Sequence, residues 1–100
     1  MPTNQFVIIA SMRAKADKID EVRKALLEMV AATRAENGCV LYDLHQDLQD
    51  PAEFFFYEVW TSPEVWQAHM ESPHLKAFGA IADTLLERST RVQQLKQIES

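Results

Sequence analysis

The spacing of apolar side chains changes repeatedly along this chain, and each change marks the border of an element. Phe6 to Met12 reads FVIIASM, a short apolar run rich in β-branched residues that fits a strand buried on both faces. From Asp17 onward, Ile19, Val22, Leu26, Met29, Val30 and Thr33 recur at helical spacing and form one stripe. Asp17 is the expected N-cap. Asn37-Gly38 is the expected stop, because glycine after a last turn can take the left-handed conformation that closes it. Cys39–Asp47 and Glu53–Trp60 then read as two strands, joined through the Asp50-Pro51 turn. Ser62-Pro63-Glu64 opens a helix with a capping hydroxyl, a first-turn proline and an acid at the positive end of the dipole. Ser72-Pro73 repeats the device, so two helical segments meet at a kink at Pro73, the second with the stripe Leu75, Phe78, Ala82 and Leu85. In Thr90–Ile98 the apolar positions Val92, Leu95 and Ile98 suit a helix or an edge strand equally, and topology selects the strand. The order βαββαβ predicts an α+β, ferredoxin-like domain over residues 1–100, with a four-stranded antiparallel sheet and all helices on one face.

That prediction raises a problem at the other face. A sheet with one wet face alternates apolar and polar side chains. The Glu53–Trp60 strand instead puts Phe54, Phe56, Glu58 and Trp60 on one side and Phe55, Tyr57 and Val59 on the other, and Phe6 and Ile8 oppose Val7 and Ile9. Exposing several such side chains forgoes roughly 1.5–3 kcal/mol each. A second copy packed sheet against sheet removes the difficulty, so a homodimer is expected.

Composition narrows the partners. The chain has 100 residues, 47% of them hydrophobic, enough for one core without metal or disulfide. A formal net charge of -5 disfavours nucleic acid and anionic membrane as partners. One cysteine, no basic-apolar leader at Met1–Phe6 and no long apolar run lead to the expectation of a cytoplasmic protein without a membrane span.

Glu58 stands out as a carboxylate inside the most apolar strand. Burial there would raise its pKa toward that of a general acid or base, whereas an ion pair with Arg13, Arg88 or Arg91 would make it structural. His69 shares the inward face of its helix with Trp66 and Met70, and is either a base or a satisfied core histidine. His74 opens the following helix, with an exposed first-turn residue as the alternative. His45 lies beside Asp43 and Asp47 on a strand end, where a solvated role is the default. The histidines lack ligand spacing, so no metal site is expected, and two glycines leave no phosphate loop for a nucleotide cofactor. Cys39 reads as packed.

Asn37-Gly38-Cys39, Tyr42-Asp43-Leu44-His45, Asp50-Pro51, Phe54, Tyr57-Glu58-Val59-Trp60 and His69-Met70-Glu71-Ser72-Pro73-His74 together resemble the antibiotic biosynthesis monooxygenase family, most closely its quinol monooxygenase branch. The resemblance covers nearly the whole chain and is sharpest at Glu-x-Trp followed by His and Ser-x-His. It implies a dimeric α/β-barrel with a cavity between sheet and helices, and oxidation of quinols, anthrones or other electron-rich phenols by O2 without a cofactor. Relatives that degrade haem carry tryptophan where this chain has His69 and an iron-ligating histidine where it has Gly79. On this reading His69 or Glu58 is the base, Phe56, Trp60, Trp66 and Phe78 line an apolar pocket, and Tyr57 or His74 hydrogen-bonds the substrate anion. Two alternatives stay open: an isomerase or degrading enzyme for a small phosphorylated signalling compound of the autoinducer-2 type, which would need cations such as Arg13, Lys15 or Lys76, and a non-catalytic binding module.

Overall fold

A computed structural model of the chain describes residues 5–98. Its elements run β1 (Phe6–Arg13), α1 (Ile19–Arg34), β2 (Cys39–Gln46), β3 (Glu53–Trp60), α2 (Pro63–Met70), α3 (Pro73–Leu85) and β4 (Arg91–Lys96). The sheet order is β2-β3-β1-β4 with every pairing antiparallel, the ferredoxin-like arrangement expected from the element order. The terminal segment is a strand: Arg91–Lys96 pairs with β1, and its edge position explains a pattern too weakly apolar to declare itself.

Both serine caps form as the sequence predicts. Ser62 accepts from the backbone N–H of Val65 and Ser72 from that of Leu75, each at 3.3 Å, with a proline in each first turn. The chain therefore breaks cleanly between α2 and α3, with α2 against β3 and α3 packed on α1 and α2.

The ends of α1 differ from expectation. Lys18, not Asp17, is the N-cap and makes no side-chain cap, because the turn closed by Lys18 N–H on the Lys15 carbonyl (2.9 Å) leaves Asp17 outside the helix. Asp20 and Glu21 in the first turn complement the dipole instead. At the other end the helix stops at Arg34, before Asn37-Gly38, after Glu36 N–H bonds the Thr33 carbonyl at 2.9 Å. Gly38 keeps its left-handed backbone, φ +85°, but uses it to turn into β2. Its carbonyl accepts from Thr61 N–H at 2.9 Å, and a Cβ there would sit 2.7 Å from Val65 Cγ2. The loop carrying Glu36 is thus pinned against the start of α2. Gly38→Ala is expected to cost about 1–3 kcal/mol from backbone strain and this collision together, read as a lowered urea midpoint at unchanged slope.

Register fixes the faces of the sheet. Phe54, Phe56, Glu58 and Trp60 of β3 pair with Met12, Ala10, Ile8 and Phe6 of β1 and point toward the helices. They meet Val22, Leu26 and Met29 of α1 and Trp66, Phe78 and Leu85 of α2 and α3 in one core. The opposite face carries Ile9, Leu41, Phe55, Tyr57 and Leu95, of which Leu41, Tyr57 and Leu95 are exposed. β2 ends at Gln46, one residue early, because the Asp47 carboxylate accepts the N–H groups of Gln49 (2.7 Å) and Asp50 (3.0 Å) and starts the turn. No helix among the described residues is long and apolar enough to cross a membrane.

Candidate functional site

The space between sheet and helices is not completely filled. A cavity of about 380 Å³ is walled on the sheet side by Ile8, Ala10, Met12, Tyr42, Phe56 and Glu58. Its other walls are Met29 of α1, Trp66, His69 and Met70 of α2, Leu75, Phe78, Gly79 and Ala82 of α3, Thr90 just before β4 and Val92 within it. Apart from the Tyr42 phenol, Glu58 and His69 are the residues that bring titratable groups to this apolar wall among the described residues.

Glu58 is 3% exposed. Burial, reinforced by the charge of Glu36 and opposed by one hydrogen bond, raises its pKa to about 7. That bond comes from Trp60, whose Nε1–H donates to Oε1 at 3.0 Å. The proposed ion pair with an arginine does not form: Arg13 binds Asp50 (2.7 Å), Glu53 (2.6 Å) and Glu87 (3.3 Å), and Arg88 binds Glu53. Arg91 points from the other face of β4, paired with Ser11. Arg13 and Arg88 clamp the β2–β3 turn and the approach to β4 instead.

His69 is 2% exposed, its ring 4.8 Å from Trp60 and 5.5 Å from Tyr42. Burial lowers its pKa, so the ring is neutral at physiological pH. Its partner is Glu36, a residue that spacing arguments passed over: Nδ1 of His69 lies 2.9 Å from Glu36 Oε2, and Nε2 of His74 lies 2.7 Å from the same oxygen. A carboxylate oxygen can only accept, so Nδ1 of His69 and Nε2 of His74 carry protons. The lone pair of His69 is then on Nε2, the nitrogen left for a ligand in the cavity.

Several expected site residues stand elsewhere. Phe56, Trp66 and Phe78 line the cavity. Trp60 is fully buried behind His69 and Glu58 and supports them without lining the cavity. Tyr57 is 41% exposed on the opposite face, over a shallow depression shared with Leu41, His45 and Phe55, so period-two alternation removes it from the pocket. Tyr42, stacked on Phe56 at 4.2 Å, is the tyrosine that faces the cavity. His74 is tied to Glu36 and does not reach the cavity wall, so neither proposed donor to a bound anion is in position. His45 stays at an exposed strand end with Nδ1 near the Asp43 carbonyl, and Cys39 packs against the core.

These features define a class: a ferredoxin-like domain that encloses an apolar, ligand-sized cavity with one buried imidazole, oriented by a carboxylate, and one buried carboxyl. The chain belongs to the antibiotic biosynthesis monooxygenase family, whose model matches residues 5–80. It is 31% identical over 97 residues to Rv0793 of Mycobacterium tuberculosis, a provisionally named monooxygenase, covering 97% of this chain and 95% of that one. The solved structure of Rv0793 superposes with a TM-score of 0.90. PA3566 of Pseudomonas aeruginosa superposes with a TM-score of 0.91 at 29% identity over 96% of each chain. The uncharacterised Synechocystis protein sll1783 is 24% identical over 95% of this chain, which spans 65% of that protein's length. Family membership supports a monooxygenase-like role.

Proposed function

We propose that this protein is a cofactor-independent monooxygenase that oxidises a small quinol, anthrone or other electron-rich phenol with O2. The observation that carries the reading is the cavity wall: apolar and aromatic apart from Thr90, with His69 and Glu58 as its acid–base groups and, among the described residues, no lysine or arginine. The residues that could have neutralised a phosphate are engaged outside it. Arg13 and Lys76 pair with acids and Lys15 donates to the Asp83 carbonyl. A phosphorylated metabolite would have to shed its hydration without a compensating cation, which disfavours the isomerase alternative.

Nε2 of neutral His69 takes the phenolic proton. The electron-rich anion gives two electrons to O2, forming a carbon–oxygen bond and a peroxide. The peroxide O–O bond then breaks as the proton on that carbon leaves, so one oxygen stays in the quinone product and the other departs as water. Glu58, poised near pH 7, is suited to protonate the departing oxygen. The apolar wall keeps water away from the anion and the peroxide.

The test is oxygen consumption by metal-stripped protein against hydroquinones and anthrones, corrected for autoxidation. Uptake above background with no added cofactor supports the reading; none across the panel removes it.

The working unit in this proposal is a homodimer joined through the outer sheet face. Leu41, Tyr57 and Leu95 leave that face with more apolar surface than a solvated sheet carries. Sedimentation velocity at low micromolar concentration is expected to give a dimer, and Tyr57→Lys, which does not touch the cavity, to give a monomer. A wild-type monomer would refute the dimer.

A further inference from the structure

The group of Glu36, His69 and His74 has a composition that the acid–base reading does not exhaust. Three separate segments supply it: the loop after α1, the last turn of α2 and the first turn of α3. Their candidate ligand atoms all lie within 4.8 Å of one another. Bonds of roughly 2.0–2.2 Å from a tetrahedral zinc-type ion to nitrogen and oxygen place neighbouring donors about 3.3–3.6 Å apart. The two hydrogen-bonded separations, 2.7 and 2.9 Å, need only to open slightly, and the third pair already lies within 4.8 Å.

Charge favours the same occupant. Glu36 raises the pKa of Glu58, so the two carboxylates repel. Among the described residues neither has a lysine or arginine partner. A divalent ion between Glu36 and the imidazoles would supply the missing positive charge. Access is open on one side, since the side chains of Glu36 and His74 are 19% and 22% exposed while His69 is sealed.

We propose that Glu36, His69 and His74 form a binding site for a divalent cation of the zinc class, with His69 shared between this site and the cavity. Two imidazoles and one carboxylate with a fourth position left to water is a ligand set of open, exchangeable zinc sites. Coordination through Nδ1 displaces the proton that His69 now gives to Glu36, and in the neutral ring that proton must sit on Nε2. The nitrogen facing the cavity changes from acceptor to donor. Resting on the monooxygenase reading, the cation is then an inhibitor: it withdraws the base without blocking the cavity.

The test uses the full-length protein stripped with chelator, titrated with Co2+ for its visible bands and with Zn2+ by equilibrium dialysis. One ion per chain is expected, with tetrahedral Co2+ absorption. His74→Ala and Glu36→Gln each lower the affinity by more than the roughly 10–100-fold that loss of an outer-shell partner costs. Nitrogen NMR of the His69 ring should show the proton moving from Nδ1 to Nε2 as Zn2+ is added. Absence of binding at equimolar micromolar ion, or equal binding by His74→Ala, overturns the site. These readouts stand if no oxidation is ever found, so failure of the substrate assignment and failure of the metal site are separable.

Discussion

Protein carrying His69→Ala is expected to consume oxygen with a responsive quinol or anthrone about 10²–10⁴-fold more slowly than wild type, the usual contribution of a positioned general base. The loss should fall mainly on kcat, because the ring lines the cavity while most of the binding surface is apolar wall that the substitution leaves in place. His69 is also packed against Trp60 and Tyr42 and bonded to Glu36, so alanine opens a hole in the core. His69→Gln keeps more of that volume and a hydrogen-bonding amide for Glu36, yet offers no basic nitrogen. A folded His69→Gln protein that is as slow as His69→Ala identifies the imidazole as the base. A His69→Gln protein at wild-type rate would move the base to Glu58. Glu36→Gln provides the complementary measurement: a neutral amide no longer favours the Nδ1–H tautomer, so the rate should fall less than in His69→Ala and its pH profile should shift.

Much of the scaffold of this site was legible because it depends on local chemistry. Ser62-Pro63 and Ser72-Pro73 act within single turns, strand alternation groups Glu58 with Phe54, Phe56 and Trp60, and helical spacing from Trp66 turns His69 toward the sheet, but which side of the sheet carries Glu58 is decided only by the packing of the helices. Where the outcome depends on contacts distant in sequence, the pattern was silent. Glu36 sits 33 residues before His69 and 38 before His74, in a loop read as a helix end, and no periodicity marks an acid that closes on two later helices. The available signal was weak: an acid just before a Gly turn that faces a helix start. Tyr57 was drawn into the site by its place in Tyr57-Glu58-Val59-Trp60, although the same alternation that buries Glu58 turns Tyr57 outward. Trp60, expected to line the pocket, is instead fully buried at the end of β3, where its indole N–H holds Glu58.

Replacing Glu58 by glutamine is expected to stabilise the protein in alkaline solution by on the order of 3 kcal/mol and to change little below pH 4. The sign follows from where the proton is held. Glu58 titrates near 4.5 when the chain is unfolded and near 7 when folded, because burial disfavours its charged form. Between these values the folded state keeps a proton that the unfolded state has lost, so stability declines as pH rises from about 4.5 to about 7 and levels off above it. Glutamine resembles the protonated acid, can still accept from Trp60 Nε1, and removes that slope. His69 acts in the opposite sense: its folded pKa is lowered, so the protein loses stability as pH falls below the ordinary histidine value, in wild type and variant alike. Subtracting the two pH profiles, measured by urea unfolding, cancels the His69 contribution and leaves that of Glu58. A flat difference from pH 4 to 9 would mean that Glu58 is ionised in the folded state with a partner that compensates its burial, and would remove it as a proton donor to peroxide. A difference that climbs through neutral pH would leave a carboxyl half-protonated beside a neutral imidazole, the pairing that proton removal at one atom and proton delivery at another require.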